Sequence, residues 1–247
     1  MTTTAIDRGV DAELAADLAA TAFTLAKRFA AGATMWSIAP AGEPHALHIA
    51  VEFVHPVIMG KRALPAVALT GSNLVDLVRV SARAGDIVIG VGAADEPDLR
   101  SVMRRSPAWG TTTIWIGSGE RPLAGAADHV LWLDDPDPRV PATGGFVLFY
   151  HLLWELTHVC FEHPGLLKPE SAELGAPPAR GGVCVTCSDE GRLGEVVSPS
   201  ADGMAEVRTA RGVENVATAL IDPVAADELV LVHAGTAISR IIEEQRR

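Results

Sequence analysis

The sequence contains few cysteines, few aromatic residues and no long hydrophobic run. Three of its 247 residues are cysteines and one is a tyrosine. A low, odd number of cysteines argues against a disulfide framework and predicts reduced thiols in the cytoplasm. No stretch of about twenty apolar residues occurs, so we expect no transmembrane helix. The opening MTTTAIDRGVDAEL also differs from a signal peptide, which has a basic region followed by an apolar one.

Basic residues are also scarce. The chain has 20 Lys and Arg against 31 Asp and Glu, which gives a formal net charge of −11. Residues 182–247 alone carry 6 basic and 11 acidic side chains, so acidic residues are in excess both in this part and in the chain before it. This balance argues against a nucleic acid or an anionic membrane surface as the main partner. Hydrophobic residues make up 48% of the chain, which is enough to bury a core.

The first two thirds of the chain alternate short apolar runs with amphipathic stretches. This alternation is typical of an α/β domain with a doubly wound parallel sheet. Predicted strands are Thr34–Ile38, Ala66–Thr70, Asp86–Val91, Thr112–Gly117 and His129–Leu133, and predicted helices are 11–31, Ala46–Val54, Asn73–Ala82, Asp98–Arg105 and Gly145–Phe161.

The amino-acid composition changes after residue 162. Residues 163–181 contain four prolines among small and charged residues, which predicts a linker. Residues 182–247 show short β-rich segments separated by Gly, Asp and Pro, a pattern typical of a small antiparallel β-barrel. The predicted segments are Val183–Cys187, Gly194–Val197, Met204–Thr209, Val213–Leu220 and Leu229–Val232. We therefore predict domains at 1–162 and 182–247.

Two motifs stand out in the carboxy-terminal domain. CVTCSDEGRLGEVV begins at Cys184, and DELVLVHAGTAISRI runs from Asp227 to Ile241. Their order resembles that of HypC/HupF-type hydrogenase maturation chaperones, whose barrel is of the OB kind. The resemblance implies a protein that carries the Fe(CN)₂CO unit of [NiFe]-hydrogenases. It also implies two partners, a HypD-like scaffold and the precursor of the hydrogenase large subunit.

The same resemblance assigns residues to the iron unit. The family's iron ligand is the cysteine that opens the domain, which matches Cys184. A thiolate is a soft, electron-donating ligand suited to such iron. Cys187 stands three residues later, and three roles remain open for it: a second iron ligand, a redox partner of Cys184, or a residue that only fills space. His233 matches the family's barrel histidine, with a role at the iron, in a partner contact or in the structure alone. Cys184 is internal here, whereas stand-alone relatives carry this cysteine at the amino terminus.

Residues 34–160 resemble the phosphosugar-binding (SIS) fold and, within it, phosphoheptose isomerases. The resemblance rests on HALHIAVEFV, PAVALTGSN, AGDIVIGVGAADEPDLRSVMRR and AADHVLWL. It implies that His48 and Glu52 are metal ligands, with Glu52 also a base. Their i, i+4 spacing places both on one helix face. His151 aligns with a ligand from the last helix, while the family's Gln falls at about Thr143. Two interpretations of these residues remain open: they bind a divalent metal, or the histidines are packed at a helix interface.

The phosphate site of the family is altered. The loop Gly90–Asp98 contains no hydroxyl residue, and Asp95 and Glu96 would repel a phosphate. Polar groups that remain for ligand binding follow the second predicted strand, namely Thr70, Ser72 and Asn73.

Three functions are therefore open. The first is a maturation chaperone that is not an enzyme, with the amino-terminal domain as a scaffold or dimerisation module and a homo-oligomer as the result. The second is an aldose–ketose sugar-phosphate isomerase or phosphosugar-binding protein that uses Glu52. The third is a fusion in which a small molecule bound to the first domain regulates the second.

Overall fold

The computed structural model describes residues 12–56, 58–133, 144–167, 191–200 and 202–242. The chain divides into two compact units, one around a parallel sheet and one around a β-barrel. The predicted linker, the predicted strand Val183–Cys187, and Thr143 lie largely or wholly outside the described residues. The domain limits 1–162 and 182–247 thus stay a prediction.

The first unit is a five-stranded sheet with helices between its strands. All strand pairs are parallel, and the spatial order is β2-β1-β3-β4-β5. The elements are α1 (Ala12–Ala30), β1 (Met35–Ile38), α2 (Glu43–Val54), β2 (Ala66–Ala68), α3 (Leu74–Ser81), β3 (Ile87–Val91), α4 (Pro97–Trp109), β4 (Thr112–Ser118), β5 (His129–Leu133) and α5 (Gly145–Glu162), followed by a 3₁₀ turn at Pro164–Leu167.

Helices cover both faces of the sheet. On one face α1, α2 and α5 bury their apolar sides against alternate strand residues, among them Ile87 and Ile89 of β3. On the other face α4 lies close to Gly90, where an added Cβ would meet Leu99 Cδ1 at 2.2 Å. β3 and β4 are buried throughout because helices cover both faces of the sheet, and β3 accordingly reads as an apolar run. The predicted doubly wound α/β fold is confirmed.

The element bounds differ from the prediction mainly at helix ends. α2 begins at Glu43, three residues early, because Pro44 occupies the first turn, where no backbone N–H is needed. α4 continues to Trp109 although Pro107 lies inside it. A proline in the last turn removes one intrahelical hydrogen bond and leaves the preceding turns intact.

The second unit is a closed barrel of five strands in the order β10-β8-β7-β6-β9. Its strands are β6 (Arg192–Pro199), β7 (Met204–Thr209), β8 (Gly212–Ala217), β9 (Leu229–His233) and β10 (Thr236–Arg240). Four pairings are antiparallel, and the barrel closes through a parallel contact of Thr236 with Ala217. Its core includes Val196, Val207, Val216 and Val230, all fully buried.

Strand β10 was missing from the strands predicted by sequence. Thr236–Arg240 follows β9 after a two-residue turn, Ala234 and Gly235, in which both residues have positive φ. Such a turn matches the twist of a hairpin. Alanine in the left-handed region is uncommon, so the turn signal in the sequence was weak. Among the described residues, no helix is long and apolar enough to cross a bilayer.

Candidate functional sites

Helix α2 presents a histidine and a carboxylate on one face. Its apolar residues Ala46, Ile49, Ala50 and Phe53 are buried. His48 and Glu52 stand one turn apart beside this buried stripe and are each partly exposed. Helix α5 adds His151, whose side chain is 46% exposed. The imidazole of His151 therefore reaches the α2 pair from the neighbouring helix while remaining open to solvent.

The three side chains converge. His151 Nε2 lies 3.2 Å from His48 Nε2 and 3.6 Å from Glu52 Oε2. One donor atom from each residue lies within 4.8 Å of the other two. The structure thus brings together the three amino-terminal residues that the sequence predicts as metal ligands.

The donor set suits a divalent transition metal. Two imidazoles and one carboxylate occur in catalytic zinc sites and in non-haem ferrous sites, both of which keep coordination positions open. The exposure of His151 leaves one side of the cluster accessible. Thr143, at the position of the family's fourth ligand, lies outside the described residues. Three side chains are enough to hold an ion whose remaining positions are taken by water or substrate.

A tyrosine and a further histidine lie next to the cluster. The Tyr150 hydroxyl is 3.1 Å from His48 Nδ1 and 3.5 Å from His45 Nδ1. The Tyr150 side chain is fully buried. Burial, and secondly the negative charge of Glu52, raise the pKa of Tyr150 to about 12. The phenol is therefore protonated at neutral pH and offers one O–H and acceptor lone pairs.

Two other residues of α5 do not join this cluster. His158 is buried, with Nδ1 2.8 Å from the Trp154 carbonyl and Nε2 3.0 Å from the Arg62 carbonyl. Both ring nitrogens face backbone oxygens, so His158 joins α5 to the segment after α2. Glu155 is exposed and is not part of the three-residue group. Neither residue is part of the three-residue group, and His158 is a packed histidine.

The loop after β3 is poorly suited to an anion. It carries the carboxylates of Asp95, which is exposed, and Glu96, which is partly exposed. The indole Nε1 of Trp115 donates to the Gly92 carbonyl over 3.1 Å and fixes the start of this loop. Backbone N–H groups at a helix start attract anions, but two nearby carboxylates oppose that attraction.

The remaining predicted ligand residues follow β2. Thr70 is partly exposed, and Ser72 and Asn73 are exposed. Asn73 adopts a left-handed conformation with φ of 67° directly before α3, and its side chain makes no capping hydrogen bond. These three residues lie beyond the carboxyl end of an edge strand, and their role in ligand binding stays a prediction.

In the barrel, the described part of the chain contains one of the three predicted iron-site residues. His233 ends β9, is partly exposed and pairs with Thr236 across the hairpin. Cys184 and Cys187 precede β6 in the sequence and lie outside the described residues. Assignment of these three residues to the iron unit stays a prediction.

Comparison with known proteins identifies the barrel. Residues 192–247 match the HupF/HypC family. The match begins at the first barrel strand, β6, and includes the LVLVHAGTAIS segment that carries His233. The sequence-based resemblance of the carboxy-terminal region is thereby confirmed.

The first unit is similar to phosphoheptose isomerases. The chain is 28% identical over 143 residues to the phosphoheptose isomerase of Nitratidesulfovibrio vulgaris (strain DSM 19637 / Miyazaki F), which covers 50% of this chain and 68% of that protein. A phosphoheptose isomerase structure from Francisella tularensis superposes with a TM-score of 0.53 and 16% identity, covering 60% of this chain and 90% of the other. The latter similarity establishes the fold alone. The first unit therefore has the SIS-like fold.

Sequence reasoning missed Tyr150 and His45. His45 stands three residues before His48, a spacing that brings two side chains to one helix face, whereas Tyr150 is adjacent to His151, a spacing that does not. The single tyrosine of the chain beside a predicted ligand was the available signal. The prediction concentrated on ligands and overlooked the side chains that lie beside them.

Proposed function

We propose that this protein is a [NiFe]-hydrogenase maturation factor that binds the Fe(CN)₂CO unit through a cysteine thiolate and delivers it. The observation that carries the proposal is the HupF/HypC domain at residues 192–247. Cys184 stands eight residues before Arg192, the first residue of β6. In this proposal the protein acts in the cytoplasm, as the low cysteine content suggests.

The chemistry of a thiolate fits transient carriage of this cargo. Cysteine sulfur is a soft ligand that suits iron bearing cyanide and carbonyl. A single protein ligand holds the cargo while leaving other iron positions available to the next protein. In our proposal the HypD-like scaffold supplies the unit and the precursor of the hydrogenase large subunit receives it. Cys187 and His233 are secondary candidates for contact with the iron.

Complementation tests the proposal. Cells that contain a [NiFe]-hydrogenase and lack their own chaperone of this kind would receive the wild-type gene or the Cys184→Ala gene. We expect hydrogenase activity with the wild type and none with Cys184→Ala at equal protein levels. Cys160→Ala is the matched control, because Cys160 lies in α5 of the other unit and is buried. Full activity of Cys184→Ala would reject Cys184 as the ligand.

A second function is favoured by the cluster of His48, Glu52 and His151. A divalent metal held by these residues would polarise a substrate carbonyl as a Lewis acid. Glu52 would then move the proton between the two carbons of an aldose–ketose isomerisation. The acidic loop at Asp95 and Glu96 disfavours a phosphorylated substrate, so the proposal extends to sugars or related hydroxycarbonyl compounds without phosphate.

Turnover assays distinguish this second function from the first. Purified protein would be supplied with a divalent metal and a panel of phosphorylated and unphosphorylated aldoses. We expect Glu52→Gln to abolish any isomerisation that the wild type shows and Cys184→Ala to leave it unchanged. Absence of turnover over the whole panel would reject the isomerase and leave the first unit as a scaffold or regulatory module.

We also propose that the first unit makes the protein a homo-oligomer. Leu47 and Val51 on α2 are 47% and 56% exposed, and Leu148 on α5 is 51% exposed. Each belongs to one of the two helices that carry the metal cluster. Exposed large apolar side chains gathered on neighbouring helices are typical of surfaces that associate.

A further inference from the structure

Tyr150 lies against the inner side of the metal cluster. Its hydroxyl is 3.1 Å from His48 Nδ1, the ring nitrogen opposite the one that faces His151. Its ring packs edge-on against both histidines, with centroid distances of 5.0 Å to His48 and 5.6 Å to His151. Buried among these rings, the phenol is placed to set which nitrogen of His48 carries the proton.

The contacts around His151 favour one tautomer of His48. A neutral imidazole has one N–H and one lone pair. His151 Nε2 faces Glu52 Oε2 at 3.6 Å and His48 Nε2 at 3.2 Å, and an ionised carboxylate only accepts. The negative charge of Glu52 attracts an N–H on His151 Nε2, which favours His48 Nε2 as the acceptor of the 3.2 Å contact. The proton of His48 then lies on Nδ1, and that N–H donates to the Tyr150 oxygen.

We propose that Tyr150 is a positioning residue that holds His48 in the Nδ1–H tautomer, leaving the Nε2 lone pair free for a divalent metal. The inference rests on the metal site proposed above. The same tautomer serves before and after binding, because a histidine that ligates through Nε2 donates its other N–H to a nearby acceptor. His45 Nδ1 is a second ring nitrogen near the Tyr150 hydroxyl, at 3.5 Å.

A purely packing role for Tyr150 predicts different behaviour. The ring is fully buried and fills space in the core formed by α1, α2 and α5. Tyr150→Phe keeps this ring and removes only the oxygen. A packing role therefore leaves His48 and the metal affinity unchanged in Tyr150→Phe, whereas a positioning role alters both.

Nitrogen NMR reads the tautomer directly. Metal-free protein labelled with ¹⁵N-histidine would give long-range correlations for each imidazole, and the signals lost in His48→Gln would assign His48. We expect His48 to be the Nδ1–H tautomer in the wild type and a mixture, or the Nε2–H tautomer, in Tyr150→Phe. An Nε2–H tautomer in the wild type, or unchanged His48 signals in Tyr150→Phe, would overturn the proposal.

Metal affinity provides the second measurement. Zn²⁺ would be titrated in competition with a chromophoric chelator. Loss of a group that orients a ligand typically weakens metal affinity about 10–100-fold, and we expect that loss for Tyr150→Phe. Phe149→Leu is the control, because Phe149 is the buried neighbour on α5 and has no polar atom to orient a ligand. Equal affinity in the wild type and Tyr150→Phe would overturn the proposal.

The two measurements separate the proposals from each other. A wild type that binds no Zn²⁺ would reject the metal site itself, and with it Tyr150 as a residue that prepares a metal ligand. A wild type that binds Zn²⁺ while Tyr150→Phe changes neither tautomer nor affinity would reject Tyr150 alone.

Discussion

At the scale of single residues, helical spacing and pairing between helices build the candidate metal site. His48 and Glu52 share a face of α2 because positions i and i+4 are neighbours on a helix. This part was predictable from the sequence. That His151 reaches them to within 3.6 Å depends on how α5 packs beside α2, which local spacing does not encode. The resemblance to phosphoheptose isomerases supplied that long-range pairing.

Glu52→Gln tests the cluster with little change in side-chain volume. The substitution replaces a carboxylate ligand by a neutral amide, so we expect Zn²⁺ affinity to fall at least about tenfold. Glu155→Gln makes the same chemical change on an exposed position of α5 and should leave affinity unchanged. Isothermal titration calorimetry on both variants measures the difference. Equal losses in both would mean that the ion binds by general negative charge and not at this cluster.

At the scale of elements, short apolar runs predicted most strands and amphipathic stretches predicted most helices. It failed at β10, where the turn of Ala234 and Gly235 has no Asn-Gly or Asp-Gly signature. It also ended α4 early, since a proline normally marks a helix boundary. The parallel closure of β10 on β8 joins strands distant in sequence and has no local signal.

Close packing at the carboxyl end of the sheet leaves no room for a side chain at Gly117. A Cβ at Gly117 would lie 2.2 Å from a ring carbon of Trp132 and 2.5 Å from the Gly92 carbonyl oxygen. The backbone oxygen cannot move aside as a flexible side chain can, so we expect Gly117→Ala to destabilise the first unit by about 1–3 kcal/mol. Gly165→Ala is the control, because a Cβ added at Gly165 would meet no atom within 4 Å apart from its chain neighbours. Urea unfolding followed by tryptophan fluorescence measures both, and equal stability would contradict this packing.

The ion pair of Arg192 with Glu214 predicts that the stability of the barrel depends on pH. Arg192 of β6 donates to both carboxylate oxygens of Glu214 of β8, at 3.2 and 2.8 Å, and Thr209 also donates to Glu214. The hydrogen bonds from Arg192, and to a lesser extent Thr209, lower the pKa of Glu214 below its usual 4.5. A lowered carboxyl pKa stabilises the fold above about pH 4.5, and this contribution is lost as the pH falls through the folded-state value.

We therefore expect Glu214→Gln to lower the free energy of unfolding by about 1 kcal/mol at pH 7. The difference from the wild type should shrink progressively as the pH falls below about 4.5, where the carboxyl protonates. Urea unfolding followed by far-ultraviolet circular dichroism measures it across this range. Glu206→Gln on β7 is the control, because Glu206 is exposed and accepts a hydrogen bond from the Ser198 hydroxyl. A difference that stays constant with pH would contradict the role given to the charge of Glu214.

At the scale of the whole molecule, the chain combines a unit of SIS-like fold with a barrel similar to the HupF/HypC family. Exposed apolar residues on α2 and α5 predict association through the first. We expect Val51→Glu to convert the oligomer into single chains of 25.9 kDa, because a charge would be buried at the contact. Light scattering after size-exclusion chromatography measures the mass. Glu13→Gln, an exposed change on α1, is the control, and a wild type of 25.9 kDa would reject the oligomer.

The most direct test of the maturation role is infrared spectroscopy of the protein purified without oxygen from cells that mature a [NiFe]-hydrogenase. Cyanide and carbonyl bound to iron absorb where the protein itself does not. We predict these bands in the wild type and their absence in Cys184→Ala purified from the same cells. Bands of equal strength in both proteins, or none in the wild type despite active hydrogenase made through this protein, would contradict carriage of the iron unit by Cys184.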